Sequence, residues 1–406
     1  MSELYELPEG WEWKALDEFT TIKSGKRVPK GYKLSDELTP YPYIRVTDFN
    51  NHGSVDTSDI RYISEEIYQK IKNYIITDKD IYISIAGTIG KTGIIPSELN
   101  GANLTENAVK IVFDNELYDK RFLLNFTNSI VFMEQVGLAT KVVAMPKLAI
   151  TRLKKVLIPL PPLQEQKRIV AKLDTLFQKI DKAIALHQKN MDEADAFMGS
   201  VLNDVFGELD KKYKKKELKD IVSKLGDGLH GTPKYDEAGE YYFINGANVK
   251  NNKIVVNQNT KKVNENEYKR YKKELNNRTI FISINGTLGN IGLYNNEKCI
   301  LGKSACYFNL LDNINKIYIT YVLQNKDFQN YIRENATGAT IKNVSLKTMR
   351  EYKVILPPLN IQQKTVAYLD KISQKIEKIK AVQKEKMQSL KALKASILDQ
   401  AFRGKL

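Results

Sequence analysis

The chain repeats itself at a distance of 196 residues. Leu160-Pro161-Pro162-Leu163 returns as Leu356-Pro357-Pro358-Leu359. Each copy is followed by a long stretch of helical periodicity, and the two stretches end alike: Ser200, Leu202 and Phe206 match Ser396, Leu398 and Phe402. Upstream, with small gaps, Ile81-Tyr82-Ile83-Ser84-Ile85-Ala86-Gly87-Thr88-Ile89-Gly90 reappears as Ile280-Phe281-Ile282-Ser283-Ile284-Asn285-Gly286-Thr287-Leu288-Gly289. Solenoid repeats have periods of about 20–50 residues, so this block is too large to be one. It reads as a domain followed by a helix, present twice. Two similar domains on one chain suit a target with two parts.

The length of 406 residues allows two to three domains, each with its own core. The formal charge of +15 favours a polyanionic partner, because lysines and arginines that neutralise phosphates release counterions. A basic protein with solvated lysines has the same composition. Cys299 and Cys306 are the only cysteines, and neither has a CxxC partner, which argues against a disulfide framework or a zinc site. Cys306 lies in the apolar run Ala305-Cys306-Tyr307-Phe308 and is expected in a core. The segment 1–10 is acidic and lacks the apolar stretch of a secretory signal. No apolar run reaches membrane-spanning length. The expectation is a cytoplasmic protein.

In the first unit, residues 41–46, 80–85 and 108–113 read as strands. Residues 118–136 read as a helix with Phe122, Leu123, Phe126, Ile130 and Met133 on one face. The second unit offers the same order: strands at 242–244, 280–284 and 306–311, then a helix at 317–333. An apolar strand closes each unit just before its prolines. Proline suits the first turn of a helix, where its missing N–H would be unpaired anyway.

Beyond the prolines, steps of three and four residues mark a coiled-coil seam. In the first copy it comprises Val170, Leu173, Phe177, Ile180, Ile184, His187, Met191, Ala194, Met198, Val201 and Val205. In the second it is assigned to Leu369, Ile372, Ile376, Ile379, Gln383, Lys386, Leu390, Leu393 and Ile397. About 40 helical residues make a rod of roughly 60 Å. His187 and Gln383 are equivalent and interrupt the apolar seam. They either fix register as polar seam residues or rotate toward solvent. The run Lys211-Lys212-Tyr213-Lys214-Lys215-Lys216 reads as a basic, solvated hinge.

Taken in order, and twice over, these features resemble the specificity subunit of a type I restriction-modification enzyme, across essentially the whole chain. The residues that carry the resemblance are the two Leu-Pro-Pro-Leu turns with their following glutamines (Gln164 and Gln166; Gln362 and Gln363) and the Gly-Thr-Ile/Leu-Gly turns at Gly87 and Gly286. To these are added Lys224-Leu225-Gly226-Asp227-Gly228-Leu229-His230-Gly231-Thr232-Pro233 and Tyr242-Phe243-Ile244-Asn245-Gly246. The resemblance implies a mixed α+β chain. Two target recognition domains, 1–160 and 209–356, would alternate with two spacer helices, 161–208 and 357–406. The helices would form an antiparallel coiled coil and give the whole a pseudo-two-fold form.

The resemblance also implies a role. Each globular domain would read one half of a bipartite site in double-stranded DNA. The coiled coil would set the spacing and seat two methyltransferase subunits. This chain would bind no cofactor; S-adenosylmethionine would sit on the methyltransferases, and ATP and Mg on a restriction subunit where one is present. Two alternatives stay open, a recognition subunit of a methyltransferase-only system and a noncatalytic scaffold that binds only protein.

The residues agree with a noncatalytic part. An adenine methyltransferase needs an Asn/Asp-Pro-Pro-Tyr/Phe loop for the flipped base, whereas Pro161-Pro162 stands between Leu160 and Leu163. No glycine fingerprint for a nucleoside cofactor opens a helix. The segment Ile85 to Thr92 imitates a phosphate-binding P-loop, but the motif needs glycine where Ile85 stands, and the second copy has Asn290 in place of Lys91. A tight turn is the better reading. The Pro-Asp of a typical nuclease core is absent. His52, His187 and His230 lie in three separate segments, which disfavours a metal cluster.

Candidate DNA contacts divide into phosphate and base readers. Lys23, Lys26, Arg27 and Lys30 surround Gly25, as Lys224, His230 and Lys234 surround Gly228; they are phosphate or groove candidates, or ordinary solvated loops. Arg45, Thr47 and Asp48 follow one strand, and Asn245, Asn248 and Lys250 follow its counterpart. Arginine pairs with guanine and asparagine with adenine, but the same side chains also cap turns. The glycine turns would present Thr88 and Lys91, or Thr287 and Asn290. The cluster at 269–273 is read as backbone-binding or plain surface.

Overall fold

Each Leu-Pro-Pro-Leu segment closes a strand and opens a helix, and the rest of the architecture hangs on that junction. The computed structural model describes residues 5–50, 52–113, 118–137 and 147–406. It comprises two compact units, Met1–His187 with Glu385–Leu406, and Gln188–Lys384.

In the first unit, Glu12–Ala15 pairs antiparallel with Leu157–Leu160, the strand that runs into Pro161. Beside it lies a four-stranded antiparallel sheet in the order Thr20–Ser24, Ala108–Phe113, Ile81–Ser84, Thr92–Gly93. A second sheet runs Arg61–Tyr62, Pro42–Ile44, Ala102–Leu104, Ile75–Ile76, with Pro42–Ile44 and Ala102–Leu104 parallel. Ile81–Ser84 is buried along its whole length, which fits its unbroken run of β-formers.

The second unit repeats this plan. Lys215–Glu217 pairs with Lys353–Ile355. The larger sheet runs Val222–Asp227, Ala305–Leu310, Thr279–Ser283, Ile291–Leu293, and the smaller one holds the parallel pair Tyr241–Ile244 and Cys299–Leu301. The strands read from the sequence are therefore present, within one or two residues. Cys299 and Cys306 are buried thiols, and burial pushes Cys299 up to about 12.

Two sequence expectations fail for a visible reason. The helix expected over 118–136 is two helices, Lys120–Thr127 and Ile130–Gln135. Ser129 caps the second by accepting the Phe132 N–H, and a capped start resets the helical phase. Ile130 is consequently 57% exposed, while Val131 and Phe132 are buried. The equivalent helix of the second unit breaks at Asn325, into Lys316–Gln324 and Lys326–Glu334. The lysine run after the first long helix is not a free hinge either. Lys215 and Lys216 belong to the strand Lys215–Glu217, and the Lys215 ammonium lies 2.8 Å from Asp210.

The long helices are Leu163–Asp210 and Leu359–Phe402. At each start a glutamine one turn in is buried. Gln166 accepts the Asp119 N–H at 2.8 Å and donates to the Pro161 carbonyl at 2.9 Å. Gln362 does the same with the Asn315 N–H and the Pro357 carbonyl, both at 2.9 Å. Asp119 and Asn315 in turn cap the helices Lys120–Thr127 and Lys316–Gln324. One amide thus joins the proline turn to the globular part, satisfying two backbone groups that would otherwise be buried unpaired.

Within each unit, the first turns of one long helix pack against the last turns of the other. Ile169, Val170 and Leu173 share a core with Leu398, Ala401 and Phe402, and Phe402 makes edge contacts with Phe122 and Phe126. In the second unit Leu202 and Phe206 share a core with Leu369, and Phe206 stands edge-on to Tyr318. The matched helix endings of the repeat are therefore the plugs that complete each core. Pairing is antiparallel in both units: the Lys394 ammonium lies 2.8 Å from both oxygens of Asp181, and that of Lys380 2.8 Å from Asp195.

The seam of the first helix is as expected, with none of its residues exposed. That of the second is corrected. Ile379 and Leu393 are each 48% exposed and Lys386 is exposed, whereas Ser373, Lys380, Met387 and Lys394 turn inward. These inward positions are the first seam carried forward by 196 residues, from Phe177, Ile184, Met191 and Met198. Following aliphatic residues alone misplaces the stripe, because a lysine can lay its stem in the seam and keep its ammonium at the edge. The Lys394 ammonium also sits 4.7 Å from the centre of the Phe177 ring. Among the described residues, no helix is long and apolar enough to cross a membrane.

The glutamine junction predicts a measurable asymmetry between neighbours. Gln362→Leu should destabilise the second unit by about 2 kcal/mol or more, since two buried backbone groups lose their partner. Gln363→Leu, at an exposed position, should fall within about 0.5 kcal/mol of the parent. Urea unfolding of the two variants measures the difference.

Candidate nucleic-acid interface

At the strand ends of each unit the same three loops converge. The first follows a glycine that must be a glycine. A Cβ on Gly25 would stand 2.1 Å from the Thr105 carbonyl oxygen, and one on Gly228 2.1 Å from that of Leu301. The next residue then hooks the smaller sheet: Lys26 N–H donates to Leu104 O at 2.8 Å, and Leu229 N–H to Leu301 O at 2.6 Å.

The second loop is the Gly-Thr-x-Gly turn. Gly87 and Gly90 have φ of +75° and +87°, and Gly286 and Gly289 +74° and +81°, a region that glycine adopts without strain. The Ser84 hydroxyl accepts the Lys91 N–H at 2.8 Å, and the Ser283 hydroxyl accepts the Asn290 N–H at 2.9 Å. This is a tight turn at the end of a strand, as expected, and not a phosphate loop opening a helix.

The third loop joins the two sheets. Ala108 N–H closes on Thr105 O and Ala305 N–H on Gly302 O, each at 3.1 Å. Asn107 O accepts from Ile85 N–H and Ser304 O from Ile284 N–H. The two units therefore share these backbone bonds, although the smaller sheet has four strands in the first and three in the second, and they carry different side chains on them.

In the first unit the loops enclose a cleft of about 730 Å³ whose walls include Arg27, Arg45, Thr47, Thr88, Lys91 and Glu106. Five of these six were candidates from the sequence. Lys23, Lys26 and Lys30 are exposed but do not line it. The Lys26 ammonium lies over the Tyr74 ring at 5.5 Å. Lys91 donates to the Phe49 carbonyl at 2.6 Å, so part of its role is to hold that loop.

In the second unit a cleft of about 470 Å³ is walled by Asp227, His230, Asn285, Lys303, Asn343 and Ser345. Of the sequence candidates only His230 is among its lining; it lies 2.7 Å from Asp227. Lys224 instead pairs with Glu274 at 2.7 Å, which holds its ammonium above the ordinary lysine range. Lys234 is exposed and offers its backbone N–H to Glu267. Thr287 is exposed on the glycine turn and Asn290 is half-buried behind it.

Two candidates serve the frame. Asp48 is 4% exposed; it accepts the Arg45 N–H at 2.6 Å and the Arg45 guanidinium at 2.6 Å. Arg45 is also bonded to Asp59, and Asp48 foremost holds its guanidinium above its ordinary range. At the matching place Asn248 accepts the Asn245 N–H and donates to Val255 O, so both ends of its amide are used. The Asn245 side-chain oxygen Oδ1 accepts the Ala247 N–H. These are the turn-capping roles that compete with base reading. His187 and Gln383 lie half-buried on the two long helices, one in each unit, and Gln383 edges a groove with Ala194 and Ile376.

The sequence reading passed over Glu106, Lys303, Asn343 and Ser345. Glu106 accepts from Arg27 Nε at 2.6 Å and from the Thr105 hydroxyl at 3.0 Å. Burial alone would raise its carboxyl, but Arg27, its own backbone and Thr105 together hold it below the ordinary range. Glu106 and Lys303 sit two residues before the long central strand of each unit, in positions that only the strand pairing makes equivalent.

The chain's similarities accord with this plan. The model of the type I restriction modification DNA specificity domain matches it twice, at residues 8–190 and 210–386. The chain is 24% identical to the EcoKI specificity subunit of Escherichia coli strain K12, over 98% of this chain and 90% of that one. It is also 24% identical to the StySPI specificity subunit of Salmonella potsdam, with the same shares covered. Its fold is shared with a solved chain from a type I restriction-modification system whose complex assembly and conformational transition are described, with a TM-score of 0.69 at 21% identity over 99% of this chain and all of that one. With two matched copies spanning most of its length, the chain belongs to the family of type I restriction-modification DNA specificity proteins.

Proposed function

We propose that each globular unit reads one half of a bipartite DNA target, and that the long helices set the gap between the halves. The observation that carries this reading is the pair of clefts. They share the glycine hook, the Gly-Thr-x-Gly turn and the loop between the sheets, while their lining side chains differ in charge and shape. A frame kept constant with a changed lining is what two readers of different sequences require, because phosphate contacts position a protein and side chains at base edges specify it.

In this reading the chain does no chemistry of its own. It selects the site for two methyltransferase subunits that carry S-adenosylmethionine, and for restriction subunits using ATP and Mg where these are present. A protein-only scaffold would leave the two glycine-framed clefts without a use.

The purified chain incubated with labelled S-adenosylmethionine and mixed DNA should transfer no methyl group; added methyltransferase subunit should produce methylation at a split sequence motif. Transfer by the chain alone would refute the noncatalytic role. Lys26→Ala with Arg27→Ala, both exposed, the first outside the first cleft and the second on its wall, should weaken DNA binding by the complex across all sequences. The slope of log affinity against log salt should fall by roughly one to two units. Unchanged affinity at two salt concentrations would return these residues to ordinary surface.

A further inference from the structure

We infer that Glu106 and Lys303, which hold the same place in the two units, are specificity-determining residues that read chemically opposite bases. The inference rests on the reading of the two units as half-site readers, and it assigns a position that the charge pattern of the sequence does not reveal.

The equivalence is fixed by backbone bonds on every side of the loop. Before it, Thr105 N–H donates to Ile44 O at 3.0 Å and Gly302 N–H to Ile244 O at 2.8 Å. After it come the matched turns closed by Ala108 and Ala305. Across it, the glycine hook puts Arg27 beside Glu106 and His230 on the wall shared with Lys303. Glu106 and Lys303 therefore hold one backbone position with opposite charge, each on the wall of its own unit's cleft; the rest of the walls differ, with Tyr43 and residues 45–47 in the first and residues 343–346 in the second.

Their states suit reading. The Glu106 side chain is one-quarter exposed, and its bonds from Arg27, Thr105 and its own backbone leave acceptor capacity open on its oxygens. A carboxylate there accepts from an exocyclic amine, as cytosine N4 or adenine N6 presents in the major groove, and repels the carbonyl of guanine or thymine. Lys303 is exposed, with its backbone anchored by donation to Leu229 O. Its ammonium has three donors and no acceptor, so it favours guanine O6 and N7, or thymine O4, and rejects an amine. Each residue carries both an attractive and a repulsive element, which is how a site discriminates.

The test uses the full chain in complex with its methyltransferase subunit. Methylated motifs are read by genome-wide sequencing for Glu106→Gln, Glu106→Lys, Lys303→Met and Lys303→Glu. Glu106→Gln keeps the shape and one acceptor oxygen, so it remains informative should the charge reversal fail to fold. Each Glu106 variant should relax or change one base position in one half-site, and each Lys303 variant one position in the other. The loss of discrimination at that position should be about 5- to 150-fold. A parent motif left unchanged by all four variants overturns the assignment, as does a uniform drop in methylation with the motif intact, which would make these residues phosphate contacts. A wild-type complex that methylates without a split motif would instead sink the half-site reading, and the assignment with it.

Discussion

A single buried amide sets the direction in which each long helix leaves its globular unit. Gln166 and Gln362 each satisfy one N–H at the cap of a globular helix and one carbonyl of the proline turn, with no water needed. Fixed proline dihedrals make the turn stiff, and the amide ties that stiff turn to the core. The helix then leaves at one angle, and aromatic plugs from the other copy's helix end, Phe402 and Phe206, find their places on the same core. Without the amide the plugs would have no fixed partner surface.

Each cleft has a fixed frame of its own, apart from that junction. The frame around each cleft is made of backbone bonds, two glycine contacts and capped turns, so its lining can change without disturbing the fold. Asp48 and Asn248 illustrate the division of labour. Both are polar residues of the turn after the parallel strand, and both spend their hydrogen-bonding capacity on that turn, which borders the cleft in the first unit only. Glu106 and Lys303 sit on an equally fixed backbone, the first paired with Arg27 and the second exposed.

Much of the architecture was legible in the sequence because repetition doubles every signal. The strands, the proline-started helices and the first seam were found, and the glycine turn was rightly separated from a phosphate loop. The errors came from reading apolar character alone. Ser129 and Asn325 stand where helices break although the apolar spacing runs straight through them; at Ser129 a side-chain cap outweighs periodicity, while Asn325 makes no such cap. Lys380 and Lys394 occupy seam positions because a lysine stem is apolar even though its tip is not. The clefts were half legible. Arg27, Arg45, Thr47, Thr88, Lys91 and His230 were named, but Glu106, Lys303, Asn343 and Ser345 depend on which strand ends meet, which spacing along the chain does not show.

Independence of the two readers is the central claim, and a unit exchange addresses it most directly. Residues 209–356 would be replaced by the corresponding unit of a relative with a different target, keeping both long helices, and the methylated motif of the complex would be sequenced in cells. The account predicts that one half-site changes to that of the donor while the other half-site and the gap stay as they were. A change in both half-sites, or in the gap alone, would contradict it.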